Sequence, residues 1–512
     1  MLRRLALAGV AAVVLTGLAW RTGNWWTDTG AADIDRNLTV ARVVLCASLF
    51  ALFFWGVPAL RRVTRPAWLV FAAWTAYLGL WALGQWPGEL MTDSVDSVVN
   101  ARQGVVRDWF SWVHGVLHLG VLDVVPHVAA LLVLQLLALA GVMAYASALV
   151  LRRGGRLWVV AAMNLLAALS APVVLNALLV SRDTPYALGH VTLALLVADA
   201  VAVRKELTRG RFALIVLLTG VLTAYRGDGL ALILVVPLLL ALRRPPVRVL
   251  AGGAAAFASA FLLFNVVAPA ALDVKTERHH YELILRLNPL GQLLQDERIS
   301  AADRASLARV VDVDAVVAKS TPLETPVFWD GDWKPAASEA DWTAFFDTSD
   351  RLLRDNLPAV VGARFETLEG ASGLRDGGFR GTPPDSAVRR YDWIADRTAM
   401  TGEPPVLRLY TAQTDLLQAA DRVDWLQWNF LPSLVLLLLV LPFFRSAPFE
   451  AAFAVVLLSR VPLLFAAAPA AQFKYYLAVH LGGIVLAGLL LARLRLARAT
   501  APAVARSTEL PA

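Results

Sequence analysis

Long apolar runs separated by clusters of arginine recur through this chain, and they constrain its fold more than any other feature. Hydrophobic residues make up 58% of its 512 positions and charged residues 17%, whereas soluble domains have about a half and a quarter. Such runs are typical of membrane-spanning helices, which need roughly 20 apolar residues each. The sequence therefore predicts an all-α polytopic membrane protein with about 12 transmembrane helices.

The predicted spans fall into an N-terminal module of about nine helices, residues 1–272, and a C-terminal group, residues 429–492. A signal peptide is the alternative for the first span, but no A-x-A-like cleavage site follows it, so we expect a retained helix. The seventh and eighth spans are short, and we expect them to continue through their polar turn or to meet a cavity. In chain order the predicted spans are 1–20, 38–60, 67–84, 126–151, 157–180, 186–203, 212–225, 230–242, 249–272, 431–444, 449–468 and 475–492.

Hydrophobicity falls sharply between residues 273 and 428, which carry most of the acidic residues. We predict a mostly helical soluble region there, with helices at 300–319 and 339–370, where apolar residues recur at helix-like spacing. The tail, 493–512, is basic and then rich in alanine and proline, so we predict that it is disordered.

The arginine clusters predict the orientation of the chain, because positively charged loops tend to face the cytoplasm. If the N-terminus is cytoplasmic, every arginine cluster in a short loop falls on the cytoplasmic side, and so does the C-terminus. The outer loop 85–123, the SRDTP and RGDG turns and the region 273–428 then lie outside. The net charge of +7 comes from these clusters and does not indicate nucleic-acid binding. Residue usage is typical of a high-GC bacterium, so we expect the cytoplasmic membrane of a bacterium. The clusters lie at Arg61, Arg152, Arg204, Arg243 and Arg493.

The outer loop concentrates ionisable groups in a short amphipathic segment just after a predicted span. Asp93 and Asp96 are three residues apart, so on a helix they share a face. One interpretation is an amphipathic helix lying on the membrane, with no chemical role. The other is a general base with supporting charges, since burial and a nearby arginine can tune the pKa of a carboxyl. The supporting residues are Arg102, Asp108 and His114.

Two tight outer turns carry an arginine and an aspartate each. In the SRDTP turn, Asp183 either caps the helix that follows or faces the outer cavity together with Arg182. In the RGDG turn, Arg226 and Asp228 form either a structural ion pair or part of a site. An arginine in such a site would bind a phosphate through paired hydrogen bonds.

Three residues of the C-terminal spans are further candidates. Arg460 lies in the middle of a predicted span, where a charge costs about 2.5–3.5 kcal/mol, so it faces either a functional cavity or a buried carboxylate. Lys474 and Tyr475 begin the last span on the outer side and serve either as an interfacial anchor or as part of the site.

The order of spans, acidic outer loop and later soluble region resembles the GT-C-fold glycosyltransferases. The stretch PGELMTDSVDSVVNARQGVVRDW, 87–109, resembles the PG…T.DS…Q…G…DWH stretch of uncharacterised bacterial membrane proteins related to that class. SRDTPYAL, 181–188, resembles their charged turn before a span, and NLPAVVGARF, 356–365, resembles a proline-containing helix of their soluble region. The chain departs from the pattern at 108–111, where DWFS stands in place of DWH and His114 is displaced.

The resemblance implies a GT-C-like glycosyltransferase that moves a sugar from a polyprenyl-phosphate donor to a cell-envelope glycan or protein acceptor on the extracytoplasmic face. It implies that Asp93 is the catalytic base, with Asp96 as the alternative, and that Asp183 shapes the site. Arg226, Arg460 or Lys474 would hold the donor phosphate. It implies no certain cofactor and leaves a divalent metal open; the sequence contains no HExxH or CxxC motif. A transporter or lipid-linked glycan flippase is the alternative, and an inactive scaffold that binds lipid-linked glycans is a third.

Overall fold

The computed structural model describes residues 7–14, 17, 34–51, 64–202, 207–243, 246–277, 279–296, 299–376, 378 and 406–500. Within these ranges the regular elements are helices, and no β-strand occurs. The fold is therefore all-α, as the sequence predicts. A short helix occupies 7–14, and the first predicted span otherwise lies outside the described residues.

The first half of the chain forms the helices that contain most of the predicted spans. A 3₁₀ turn, Gly227–Ala231, leads into the tenth helix. The helices are α1 (Ile34–Ala51), α2 (Arg65–Gly84), α3 (Thr92–Arg102), α4 (Trp112–Val124), α5 (Val128–Arg152), α6 (Leu157–Ala168), α7 (Ala171–Leu178), α8 (Asp183–Ala202), α9 (Arg209–Tyr225), α10 (Leu232–Ala241) and α11 (Val247–Ala271).

The second half contains the predicted soluble region and the C-terminal spans. Short 3₁₀ turns, Leu441–Phe443 and Phe473–Tyr476, extend α20 and precede α23. The helices are α12 (His280–Gln295), α13 (Ala301–Leu307), α14 (Val313–Lys319), α15 (Pro326–Trp329), α16 (Glu339–Asp355), α17 (Leu357–Ala371), α18 (Leu407–Asp421), α19 (Asp424–Gln427), α20 (Leu431–Val440), α21 (Pro448–Leu458), α22 (Val461–Ala467) and α23 (Leu477–Thr500).

Seven helices of the described chain are long and apolar enough to cross a membrane, and each coincides with a predicted span. The predicted fifth span is instead a pair, α6 and α7, bent by 64° at the break between them, which makes eight if the pair is one span. The predicted seventh and eighth spans correspond to α9, with 17 residues, and to the short apolar helix Gly227–Ala241. Of the predicted second span, α1 covers the first part and 52–63 lies outside the described residues. The seven helices are Arg65–Gly84, Val128–Arg152, Asp183–Ala202, Val247–Ala271, Trp425–Phe443, Pro448–Ala467 and Phe473–Leu494.

Helix α8 and the last span lie at the centre of the bundle, each with 72% of its most apolar window buried. Helix α8 packs against α21, α9 and α5, while the last span packs against α20 and α6. Close approach depends on small residues, because a side chain at Gly482 would collide with Leu457 and one at Gly483 with Ser433.

The region 280–376 has its own apolar core, which includes Leu283, Leu290 and Phe345. Its two predicted helices are each divided in the structure. Residues 300–319 form α13 and α14, because the Asp312 carboxylate accepts hydrogen bonds from the backbone N–H groups of Asp314 and Ala315 and starts a new helix. Residues 339–370 divide at Asn356, which Pro358 at the start of α17 follows closely.

The prediction that residues 493–512 are disordered is wrong for the first part of that tail. Helix α23 continues to Thr500, because alanine, leucine and arginine in this stretch are all strong helix formers. Residues 501–512 lie outside the described chain.

Three arginines form ion pairs at the end of the bundle where α5 and α8 end. Arg493 Nη1 lies 3.1 Å and Arg153 Nη1 4.0 Å from carboxylate oxygens of Glu450, while Arg211 pairs with Asp199 in the last turn of α8.

Candidate functional site

A cavity of about 990 Å³ lies at the end of the bundle opposite Glu450, where α8 begins and α22 ends. Helix α12 and the loop before α4 contribute to its walls. The cavity therefore joins the membrane-spanning bundle to the helical region 280–376. Eight residues singled out from the sequence line it: Asp93, Asp96, Asp108, Arg182, Arg226, Asp228, Lys474 and Tyr475.

Backbone hydrogen bonds place the acidic segment at the cavity wall. The N–H of Glu89 donates to the carbonyl of Leu178 at 2.9 Å, and the N–H of Val180 donates to the carbonyl of Glu89 at 2.9 Å. This bridge joins the chain before α3 to the end of α7. Helix α3 then starts at Thr92 and carries Asp93 and Asp96 into the cavity.

Helix α7 ends inside the protein, where all of its residues are buried, and this leaves its last carbonyl groups available for the bridge. The last carbonyl groups of such a helix need donors when no water reaches them. The Gln135 side chain supplies them, donating to the carbonyls of Asn176 at 3.1 Å, Ala177 at 2.8 Å and Leu179 at 2.8 Å.

Asp93 is the carboxylate of the site with the fewest hydrogen-bond and ion-pair partners among the described residues. Its side chain makes no hydrogen bond or ion pair with any described residue. It shares a narrow gap with Arg182 and Lys474, and both cations are close enough to interact with it electrostatically. Asp96 lines the same cavity but has interactions of its own.

Arg182 is held by the loop before α4 and by α12. Its guanidinium donates to the carbonyl of Trp109 and lies 3.5 Å from the Tyr281 hydroxyl. Burial lowers the pKa of Arg182, but electrostatic interactions with Tyr281, Asp93, Tyr475 and Asp228 together raise the pKa above its usual value. The site therefore keeps this guanidinium charged.

A chain of ion pairs lies behind Arg182. Asp183, which is 4% exposed, pairs with Arg226 and lies 3.5 Å from the Lys474 ammonium group. Arg226 Nε also donates to Asp228 at 2.8 Å, and Arg460 Nε donates to the other Asp228 oxygen at 2.7 Å. Arg460 thus has a buried carboxylate partner, which is one of the two alternatives that its sequence position allowed. The Arg226–Asp228 ion pair forms as well, while both of its residues line the cavity.

Aromatic rings cover these cations. The Arg226 guanidinium carbon lies 5.1 Å from the centre of the Tyr475 ring, and that of Arg460 lies 4.5 Å from the Tyr186 ring. Such contacts stabilise a partly desolvated guanidinium without neutralising it.

Asp108 lines the cavity from the loop before α4. Its carboxylate accepts a hydrogen bond of 3.0 Å from the Glu277 N–H. Burial raises the pKa of the Asp108 carboxyl, and the nearby Glu277 charge acts in the same direction, against the hydrogen bonds that lower it.

Four predicted site residues do not line the large cavity: Arg102, His114, Asp183 and Arg460. Arg102 ends α3. His114 is 3% exposed and its Nδ1 lies 2.7 Å from the Tyr225 hydroxyl, although it borders the narrow gap that contains Asp93. Asp183 pairs with Arg226 and Lys474, and Arg460 pairs with Asp228. These three partners line the cavity.

Several lining residues had no place among the sequence candidates: Glu89, Trp109, Tyr281, Trp329 and Gln472. Trp109 follows Asp108 directly, so the charged motif signalled it. Tyr281 and Trp329 come from the soluble region, and no charge or spacing in the sequence indicated that they face the loop.

Among the described residues, no group of three or more histidine, cysteine, aspartate or glutamate side chains is arranged to hold a metal ion. No protein-family model, curated protein or solved structure matches the chain. The likeness to GT-C glycosyltransferases therefore stays a prediction.

Proposed function

We propose that the protein is a membrane glycosyltransferase of GT-C-like architecture. It moves a sugar from a polyprenyl-phosphate donor to an acceptor in the large cavity. The proposal includes about 12 spans, cytoplasmic termini and an extracytoplasmic cavity, in the cytoplasmic membrane of a bacterium. The acceptor is a cell-envelope glycan or protein.

The observation that carries the proposal is the position of Asp93, which has no ion pair among the described residues and faces Arg182 and Lys474 in the cavity. Sugar transfer from a phosphodiester needs a base for the acceptor hydroxyl and cations for the departing phosphate. A carboxylate already neutralised by an arginine would be a poor base, so the absence of a described partner favours Asp93.

The charges of the site suit each half of such a reaction. The acceptor oxygen attacks the anomeric carbon, its proton passes to Asp93, and the bond to the phosphate oxygen breaks. The phosphate leaves as a monoester with an additional negative charge, which Arg182 and Lys474 stabilise, with Arg226 beside them. Asp183 positions two of these cations by pairing with Arg226 and Lys474.

A transporter or lipid flippase is the second candidate, and the bent pair α6 and α7 favours it. Discontinuous helices often form the binding sites of transporters. This break, however, leads to a cavity at one end of the bundle, whereas transporter sites lie near the bilayer midplane.

One experiment separates the two. The purified protein is placed in liposomes with a panel of labelled polyprenyl-phosphate sugars and candidate acceptors. The proposal predicts transfer of label to an acceptor and release of polyprenyl phosphate. Movement of intact donor between leaflets without transfer would support the second candidate, and neither activity across the panel would contradict both.

A further inference from the structure

Helix α17 carries an apolar stripe that no described residue covers completely. Leu357, Val361 and Phe365 recur every four residues, so they lie on one face of the helix. Their exposed fractions are 59%, 38% and 52%. A contiguous exposed stripe of large apolar side chains indicates an interaction surface.

The other face of the same helix is already packed on protein. Arg364, which is 5% exposed, donates to the carbonyl of Ala468 at 2.8 Å and to that of Leu285 at 2.8 Å. Thr367 is also buried and donates to the carbonyl of Pro322 at 2.6 Å. One face of α17 is therefore buried against protein and another is apolar, so the apolar face also needs an environment that excludes water.

The stripe continues directly onto a membrane-capable helix. The rings of Phe365 and Phe465 meet edge to face with centres 5.0 Å apart. Phe465 belongs to α22, the last part of the candidate span Pro448–Ala467, and Leu463 on the same helix is 40% exposed. Ala468, which Arg364 holds, follows the end of that span. The stripe thus adjoins the end of a membrane-capable helix through the contact between Phe365 and Phe465.

We infer that α17 is seated in the bilayer leaflet on the cavity side, with Leu357, Val361 and Phe365 in contact with lipid chains. An interfacial helix buries its apolar face roughly 5–10 Å into the boundary between headgroups and chains. Leu463 and Leu464 of the neighbouring α22 line the large cavity. The position of α17 in the leaflet therefore places the opening of that cavity at the lipid surface, whichever substrate the cavity binds.

Labels at single cysteines test the contact without any assay of activity. Cys46 is the chain's one cysteine, so Cys46→Ser gives a cysteine-free background. Val361→Cys and, independently, Leu357→Cys carry an environment-sensitive fluorophore in lipid nanodiscs. Val266→Cys on the outer surface of α11 is the lipid reference, and Ala305→Cys on exposed α13 is the water reference.

The inference predicts that brominated phospholipids quench positions 361 and 357 about as much as 266, and that aqueous iodide quenches them far less than 305. Quenching by iodide as strong as at 305 would overturn it, because the stripe would face water. Protection from both quenchers would also overturn it, because another part of the protein or a second copy would then cover the stripe. Two labelled positions guard against a single substitution that disturbs the fold.

Discussion

Asp228 is predicted to be the carboxylate on which the buried cations of the site depend most. It accepts hydrogen bonds from Arg226 at 2.8 Å and from Arg460 at 2.7 Å. The Asp228 side chain is 12% exposed and that of Arg460 only 2%, so water cannot replace the lost partner. Asp228→Asn keeps the size of the side chain and removes its charge.

The cost follows from the partners that remain. Arg226 keeps Asp183, but Arg460 has no second ion pair among the described residues. Removal of one partner from a buried ion pair costs about 3–5 kcal/mol, and we expect the lower part of this range because the amide oxygen introduced by Asp228→Asn still accepts one hydrogen bond. Arg460→Met should cost less, because Asp228 then keeps Arg226.

The assay is a double-mutant cycle on the purified protein, read as the rate of thermal inactivation in detergent, since large membrane proteins rarely unfold reversibly. Each variant is compared with wild type and with the double variant Asp228→Asn, Arg460→Met. The double variant should be more stable than the sum of the two single effects predicts, by about 1–3 kcal/mol. Additive effects, or a loss below about 1 kcal/mol for Asp228→Asn, would refute the reasoning.

Two further predictions concern the loop before α4. Burial raises the pKa of Asp108, so the stability that its proton contributes is complete below the unfolded pKa and is lost as pH rises through the folded pKa. Asp108→Asn should therefore gain stability relative to wild type as pH rises above about 4, the ordinary pKa of an aspartate, and a difference independent of pH would contradict this. Gly104 has φ +67° and a Cβ there would lie 2.6 Å from the Ile34 Cα, so Gly104→Ala should lose at least about 1–3 kcal/mol in the same assay. Gly141→Ala, with open space around its Cβ, is the control and should be neutral or stabilising.

Run length and charge were enough to predict where the membrane-capable helices lie. The seven predicted spans that the structure bears out begin and end within a few residues of the observed helices, because each apolar run is bounded by charged or polar residues. The bend between α6 and α7 was not predictable in this way. The apolar run continues through it. The break coincides with Pro172 in the first turn of α7, and the last carbonyl of α6, that of Ala168, accepts a hydrogen bond of 2.6 Å from Tyr77, 91 positions away in the chain.

The candidate site was predicted as a set of residues rather than as an arrangement. Unusual placement of charge singled out Arg460, but its partner Asp228 lies 232 positions away in the chain, and spacing carries no information about such a pair. In the same way, only the folded chain distinguishes Asp93, which has no described partner, from Asp183, which two cations hold. Contacts between distant helices decide these roles.

A comparison of Asp93→Asn with Asp96→Asn tests the proposal that Asp93 is the base of a sugar-transfer reaction. Both variants keep the size of the side chain and lie on the same helix, so either serves as the control for the other. With a donor that wild type uses, initial rates of transfer are measured at saturating acceptor. We expect Asp93→Asn to lower the rate by about 10²–10⁴-fold and Asp96→Asn to keep most of the wild-type rate. Full activity of Asp93→Asn in a well-folded preparation would contradict the claim.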